Sequence, residues 1–263
     1  MFGWFTKARR LRLTQNPFPP EWDKIIRSNV SYDALLDDDE RRRLRDMVRI
    51  FISEKNWEGC GGLELTDEIR VTISAMACIL ILNVKHNFYK NVETVIVYPT
   101  EVIPPQRRPG FFEVPLEPLD VPEPLSGEAF HQGPLILAWD AVLEAVDYPD
   151  SGYNVVYHEF AHKLDMQDGI ADGTPPLAGR NKYLDWVKTF SGEYLKLLDD
   201  IKKGRQTFLD PYGATDEAEF FAVATEHFFC QPVGMKNVMP ELYRVLKDFY
   251  HQDPAVRLIN KAK

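Results

Sequence analysis

Two histidines one helical turn apart, set in an otherwise apolar segment, constrain this chain more than any other feature. The stretch from Tyr153 to Asp165 contains Val156-Tyr157-His158-Glu159-Phe160-Ala161-His162, with Val155 before it and Leu164 after it. Residues four apart on a helix lie above one another on the same face, so a helix here brings both imidazoles to one point. The apolar neighbours place that helix in the core rather than on a solvated face. A buried histidine pair with no partner is costly, so further polar groups must be folded around it. A chance match on a surface helix is the bland alternative, and the apolar flanks argue against it.

A metal ion suits this spacing. Zinc takes histidine nitrogen at about 2.0–2.1 Å, and catalytic sites leave one position open for water. Glu159, between the histidines, projects beside that position, where its carboxylate can take the water's proton and pass it to a leaving amine. Zinc lowers the pKa of such a water to about 7. One Zn2+ per chain is the expectation, although the same ligands would also take cobalt or manganese.

Such a site needs a third protein ligand, and the candidates cluster between Tyr212 and His227. Glu219 and Glu226, seven apart, share one helix face but stand two turns, about 10.5 Å, from each other. Only one of them can bind the same ion. Glu219 sits among Ala218, Phe220, Phe221 and Ala222, where an unpaired carboxylate is expensive. Glu217, at the start of the segment, suits a surface acid that compensates the helix dipole. Asp165, three past His162, either steadies a ligand from behind or is a plain helix-surface aspartate.

A chain of 263 residues with 44% hydrophobic content can bury a proper core. The first third reads as helical: acidic residues at 37–39 precede Glu40 to Glu54, and Thr66 can cap a helix running through Val71 to Leu82. Cys60-Gly61-Gly62 reads as a turn. Thr94 to Tyr98 and Leu135 to Trp139 read as strands, with proline-dense extended loop over 99–124 between them. Gly133-Pro134 suggests an edge position for the second strand, free to pair with an extended peptide, and its strong apolarity suits equally an interior strand paired on both sides. Asp140 can cap a short helix over Ala141 to Val146. Helices follow over Tyr153 to Asp165, Tyr183 to Lys202, Glu217 to Cys230 and Glu241 to Tyr250. Many helices around a few strands make an α+β domain. We expect a single domain over 1–263, with a helical N-terminal part (1–92) and a core carrying the chemistry (93–263).

Net charge is -9, which offers no basic surface for direct nucleic-acid binding. Three cysteines, Cys60, Cys78 and Cys230, are widely spaced without a paired motif. They read as buried thiols in a reducing, cytoplasmic setting. Met1 to Leu13 lacks the shape of a signal peptide, and a membrane-surface role for Phe2, Trp4 and Phe5 beside basic residues is the minor alternative. Val71 to Leu82 is too short for a membrane span.

With Tyr212 and Glu-Ala-Glu-Phe-Phe at 217–221 added to the histidine motif, the chain resembles the Mlc titration factor A family of bacterial peptidases. It is also similar, more distantly, to the catalytic domain of anthrax lethal factor. The likeness to the titration factor family covers nearly the whole chain, including Phe-Pro-Pro-Glu-Trp at 18–22 and Leu-Ile-Leu-Ala-Trp at 135–139. The resemblance implies a zincin-like metallopeptidase with a small mixed sheet. It makes His158, His162 and Glu219 the metal ligands, Glu159 the catalytic base and Tyr212 a phenol that stabilises the oxyanion. Glu226 is then a supporting or structural residue. The implied activity is hydrolysis of a peptide or protein substrate, aminopeptidase-like or as a limited endopeptidase. The resemblance also implies a regulatory alternative, in which the protein binds and sequesters a transcriptional repressor of the Mlc type. A structural zinc domain is a third reading, disfavoured because such sites fill all four positions, often with cysteine.

Overall fold

Two helices of the N-terminal part begin where the sequence supplies a capping side chain. The computed structural model describes residues 2–101, 127–129 and 133–261. Helices α1 (Phe2–Thr14) and α2 (Pro20–Asn29) lead into α3 (Asp38–Glu54). Asp37 accepts the backbone N–H of Glu40 at 2.8 Å, and the Glu40 carboxylate accepts the N–H of Asp37 at 3.3 Å. This reciprocal pair satisfies two otherwise orphaned helix donors. Thr66 caps α4 (Asp67–Leu80) by accepting the N–H of Ile69 at 3.3 Å. From Val71 to Leu80 every residue of α4 is buried, because α2, α3 and α6 enclose it. A helix apolar all round is a helix surrounded by others.

Among the described residues four strands form one sheet in the order β1-β2-β4-β3: β1 (Asn56–Gly59), β2 (Thr94–Tyr98), β3 (Gly127–Ala129) and β4 (Leu135–Ala138). β1, β2 and β4 are parallel, and β3 runs antiparallel to β4. α4 supplies the long crossover that the parallel β1–β2 pair requires. The fold is therefore α+β, mostly helical with a small mixed sheet. β1 adds a strand to the N-terminal part, expected to be helical with a turn at Cys60-Gly61-Gly62. Asn-Trp-Glu-Gly carries no alternation, so pairing with β2 makes it a strand, not its own pattern.

The sheet overturns the edge-strand expectation. β4 pairs with β2 on one side and with β3 on the other, and Leu135 and Leu137 are fully buried. That continuous apolarity belongs to an interior strand, and it outweighs the glycine-proline signal at its start. Among the described residues β3 is the outermost strand on that side. The expected loop over 102–124 lies outside the described residues, as do the side chains of Phe2, Trp4 and Phe5.

α5 (Trp139–Asp147) starts directly at the end of β4. Ala138, not Asp140, holds its cap position, and the Asp140 carboxylate accepts the adjacent Ala141 N–H at 2.8 Å from inside the first turn. The remaining helices are α6 (Val155–Asp165), α7 (Arg180–Lys202), α8 (Glu217–Cys230), α9 (Pro232–Val238), α10 (Pro240–Tyr250) and α11 (Pro254–Lys261). The last four segments include two unexpected helices, α9 and α11, each opened by a proline that suits a first helical position. α6 packs directly on α8 and on α4 at the centre of the molecule. Its Phe160 ring lies 4.8 Å from Tyr89 and 5.7 Å from Phe51, ring centre to ring centre. All three thiols are free, with Cys78 and Cys230 buried and Cys60 only half-buried. No described helix is long and apolar enough to cross a membrane.

Candidate metal centre

The site is built where the first turns of two buried helices meet. Asn154 caps α6, accepting the N–H of Tyr157 at 3.0 Å, so the helix begins one turn before His158. Asp216 caps α8, accepting the N–H of Glu219 at 2.8 Å. That cap holds Glu219 in the first turn of α8, facing α6. His158 Nε2 then lies 2.9 Å from Glu219 Oε2, His162 Nε2 lies 3.4 Å from Glu219 Oε1, and the two Nε2 atoms are 3.2 Å apart.

These separations fit a shared cation. Bonds of 2.0–2.1 Å at tetrahedral angles put neighbouring ligand atoms about 3.3 Å apart. Glu219 Oε2 is buried and, close as it is to His158, makes no aligned hydrogen bond. The ligand atoms are gathered around a point more than they are paired with each other. Among the described residues, these three form the one group of histidine, cysteine and acidic side chains close enough to hold a metal ion.

The second carboxylate of α8 stands behind the first histidine. Glu226 Oε1 is 2.8 Å from His158 Nδ1. A carboxylate there accepts a hydrogen bond from Nδ1–H and leaves the Nε2 lone pair free to face the cluster. Its other oxygen accepts the backbone N–H of Asn154 at 2.5 Å. Two turns of helix separate the two glutamates, and the structure brings each to a different nitrogen of the same imidazole.

Glu159 is buried between these groups, and its Oε2 has no hydrogen-bond partner. Burial raises its pKa to about 7, against the lowering pull of His158 and His162. Glu219 goes the other way, to about 2: burial opposes its charge, but the two adjacent imidazoles outweigh it. His158 is raised well above its ordinary value, since burial disfavours the imidazolium but Glu226 and Glu219 favour it more. Two carboxylates on neighbouring helices thus shift in opposite directions, because burial dominates at Glu159 and the adjacent imidazoles dominate at Glu219.

Tyr212 lies in a short 3-10 turn, Pro211–Ala214, just before α8. Asp210 accepts its N–H at 2.8 Å, and Gly213 packs the turn against α8, where an added Cβ would sit 3.3 Å from Val223. The phenol ring is half exposed, 6.0 Å from the His158 ring. Asp165 is not a surface residue. It is fully buried, and its Oδ2 accepts the N–H of Gly173 at 2.9 Å. Gly173 has φ +73, and a Cβ there would come within 2.3 Å of the Glu217 carbonyl oxygen. Asp165 therefore ties the end of α6 to a loop pressed on the start of α8. No hydrogen bond joins it to His162. A cavity of about 510 Å³ opens beside Glu159, walled in part by Val155, Val223, Phe208 and His227. Nothing in the sequence pattern marks that cavity, because its walls come from segments far apart in the chain.

Residues 4–251 match the family model described as glucose-regulated metallo-peptidase M90. An uncharacterized protein of Synechocystis sp. is 37% identical over 250 residues, covering 94% of this chain and 90% of its own length. Mlc titration factor A of Serratia proteamaculans is 32% identical over 227 residues, 85% of this chain and 84% of that protein. The same-named protein of Yersinia enterocolitica is 28% identical over 265 residues, 98% of this chain and 94% of its own. A match over nearly the whole length, joined to a site whose donor set suits a metal, places this chain in the glucose-regulated metallo-peptidase M90 family.

Proposed function

We propose that the protein is a zinc-dependent peptidase of zincin-like fold, with His158, His162 and Glu219 as ligands and Glu159 as general base. The observation that carries this reading is the convergence of three ligand atoms beside a buried, unpaired carboxylate. When bound, zinc supplies Lewis acidity that polarises the substrate carbonyl and makes water acidic near neutral pH, with a pKa of about 7.

The chain's own residues do the rest. Glu226 holds the His158 ring in one tautomer and orientation. Glu159, buried between the two histidines with one carboxylate oxygen unpaired, accepts the proton of the attacking water and hands it to the leaving nitrogen. Tyr212, carried on the turn ahead of α8, donates a hydrogen bond from its phenol to the oxyanion as charge develops there. The burial of Glu159 and its neighbours on α6 strengthens each of these interactions. The substrate is a peptide or protein, cleaved in an aminopeptidase-like manner or by limited endoproteolysis, and the free thiols suit a cytoplasmic setting. A peptide library tested with wild-type protein, chelator-treated protein and Glu159→Gln decides the matter. Cleavage confined to metal-loaded wild type supports the reading, and equal cleavage by all three overturns it.

A second reading follows from the name shared by two relatives, Mlc titration factor A. In it, the protein binds and sequesters an Mlc-type transcriptional repressor, and catalysis is secondary. Glu159→Gln separates the two: a titrating protein keeps its biological effect, and an enzyme loses it.

A further inference from the structure

A second cavity, of about 190 Å³, opens at the C-terminal end of α6 and shares no wall residue with the cavity beside Glu159. Leu164 of α6, Leu177 of the loop before α7, Trp186 of α7, and Val245 and Phe249 of α10 are among its walls. Segments distant in the chain thus turn apolar side chains into one hollow, and its walls are fixed. The Trp186 ring stacks on Phe190 at 4.0 Å, with 11° between planes, and meets Phe249 edge to face at 5.5 Å. Its indole N–H donates to the Gly173 carbonyl oxygen at 3.0 Å. The N–H of Gly173 donates in turn to the buried Asp165. A wall held by its ring and by its N–H loses little further freedom when a guest arrives.

Size limits that guest to about one ring. An apolar cavity of ~150 Å³ holds benzene, so this one admits a single ring or a branched alkyl group on a short tether. The tether emerges beside charge, because Lys85, Lys182, Asp185 and Asp248 border the cavity. Arg244 of α10 engages both acids. It bonds Asp185 through two nitrogens, at 2.8 and 2.9 Å, and lies 3.6 Å from Asp248. Lys85 and Lys182 are exposed, and neither has an ion-pair or hydrogen-bond partner among the described residues. The unpaired charge at the rim is therefore positive, above an apolar interior. A carboxylate tethered to a ring matches both, whereas a cation there meets two ammonium groups.

We propose that this cavity is a ligand site, separate from the metal centre, for a small carboxylate whose apolar part is one ring or a branched alkyl group. Trp186 and Phe249 hold the apolar part, and Lys85 and Lys182 pair with the two oxygens of the carboxylate. The site does not depend on the peptidase reading, since none of its residues belongs to the metal cluster.

The test uses the full chain in the presence of zinc and three probes with the same ring and tether: phenylpropionate, phenylpropanol and phenylpropylamine. Dissociation constants come from ligand-observed NMR titrations. Phenylpropionate should bind with a dissociation constant below ~1 mM. It should bind at least ~3-fold more tightly than the alcohol, with the amine weakest. Lys85→Glu combined with Lys182→Glu should reverse the order of carboxylate and amine. The alcohol should keep its wild-type affinity in that variant, which also reports an intact cavity. Equal affinities for the three probes overturn the site, as does failure of phenylpropionate to bind or an unchanged order in the charge-reversed variant. Loss of phenylpropionate binding in Glu219→Ala, with none lost in the charge-reversed variant, would place the carboxylate at the metal centre and overturn it too.

Discussion

Glu226 bonds the Nδ1 of His158 at 2.8 Å through one oxygen and the backbone N–H of Asn154 at 2.5 Å through the other. A single carboxylate thus fixes both the tautomer of His158, a proposed ligand, and the cap residue of the helix that carries it. Replacing Glu226 with Gln keeps the shape but loses the charge-assisted bond. We predict a fall in zinc affinity of roughly 10–100-fold, with metal still bound at saturation. Competition against a chelator of known affinity measures it, and an unchanged dissociation constant would mean that Glu226 serves only the helix cap.

Glu159→Gln should retain one zinc per chain and an unchanged thermal midpoint while losing peptide hydrolysis by a factor of roughly 10²–10⁴. Glu159 contributes no ligand atom to the three-residue cluster, so metal content and rate separate cleanly. A fully active variant would mean that another group takes the water's proton.

Tyr212→Phe should leave metal content intact and lower kcat with little change in KM, because the proposed contact forms only as the oxyanion develops. Loss of one such donor costs about 10²–10³ in rate. A change confined to KM would instead place the phenol, which is half exposed beside the His158 ring, in substrate binding.

Stability at acid pH is predicted from the last helix. Arg257 on α11 holds the buried Glu40 carboxylate of α3, with one of its bonds at 2.6 Å. Burial would raise the Glu40 pKa, but the bonds from Arg257 and Asn83 outweigh it and lower it to about 2. A depressed carboxylate stabilises the folded state at every pH above its unfolded value, about 4.3, and loses that contribution as pH falls toward the folded value. The contribution is on the order of 2–3 kcal/mol. Wild type should therefore lose stability between about pH 4.5 and pH 2 more steeply than Glu40→Gln, which should already be weaker at pH 7. Parallel denaturation curves across that window would contradict the account.

Local chemistry made most helices legible in advance. The capping residues Asp37 and Thr66 and the apolar period of α3 and α4 act within a few residues of themselves, and so do the two histidines one turn apart. The elements that escaped depend on distant partners. β1 is a strand only because β2 lies beside it, and β4 is interior only because β3 covers its other edge. Asp165 looked equally suited to a helix surface or to a ligand's support. Its burial and its bond to Gly173 depend on a loop that returns from the far side of the site. The cavity was invisible for the same reason, since Val155, Phe208 and His227 meet only in three dimensions.

The central claim, that His158, His162 and Glu219 hold a metal ion, is tested most directly by metal content. Elemental analysis of wild type, Glu219→Ala and Glu226→Gln, each dialysed against the same weak chelator, gives the answer in one comparison. The account predicts one zinc per chain in wild type, near-complete loss in Glu219→Ala, and in Glu226→Gln a partial loss that saturating zinc restores. Stoichiometric zinc in Glu219→Ala, held as tightly as in wild type, would contradict it.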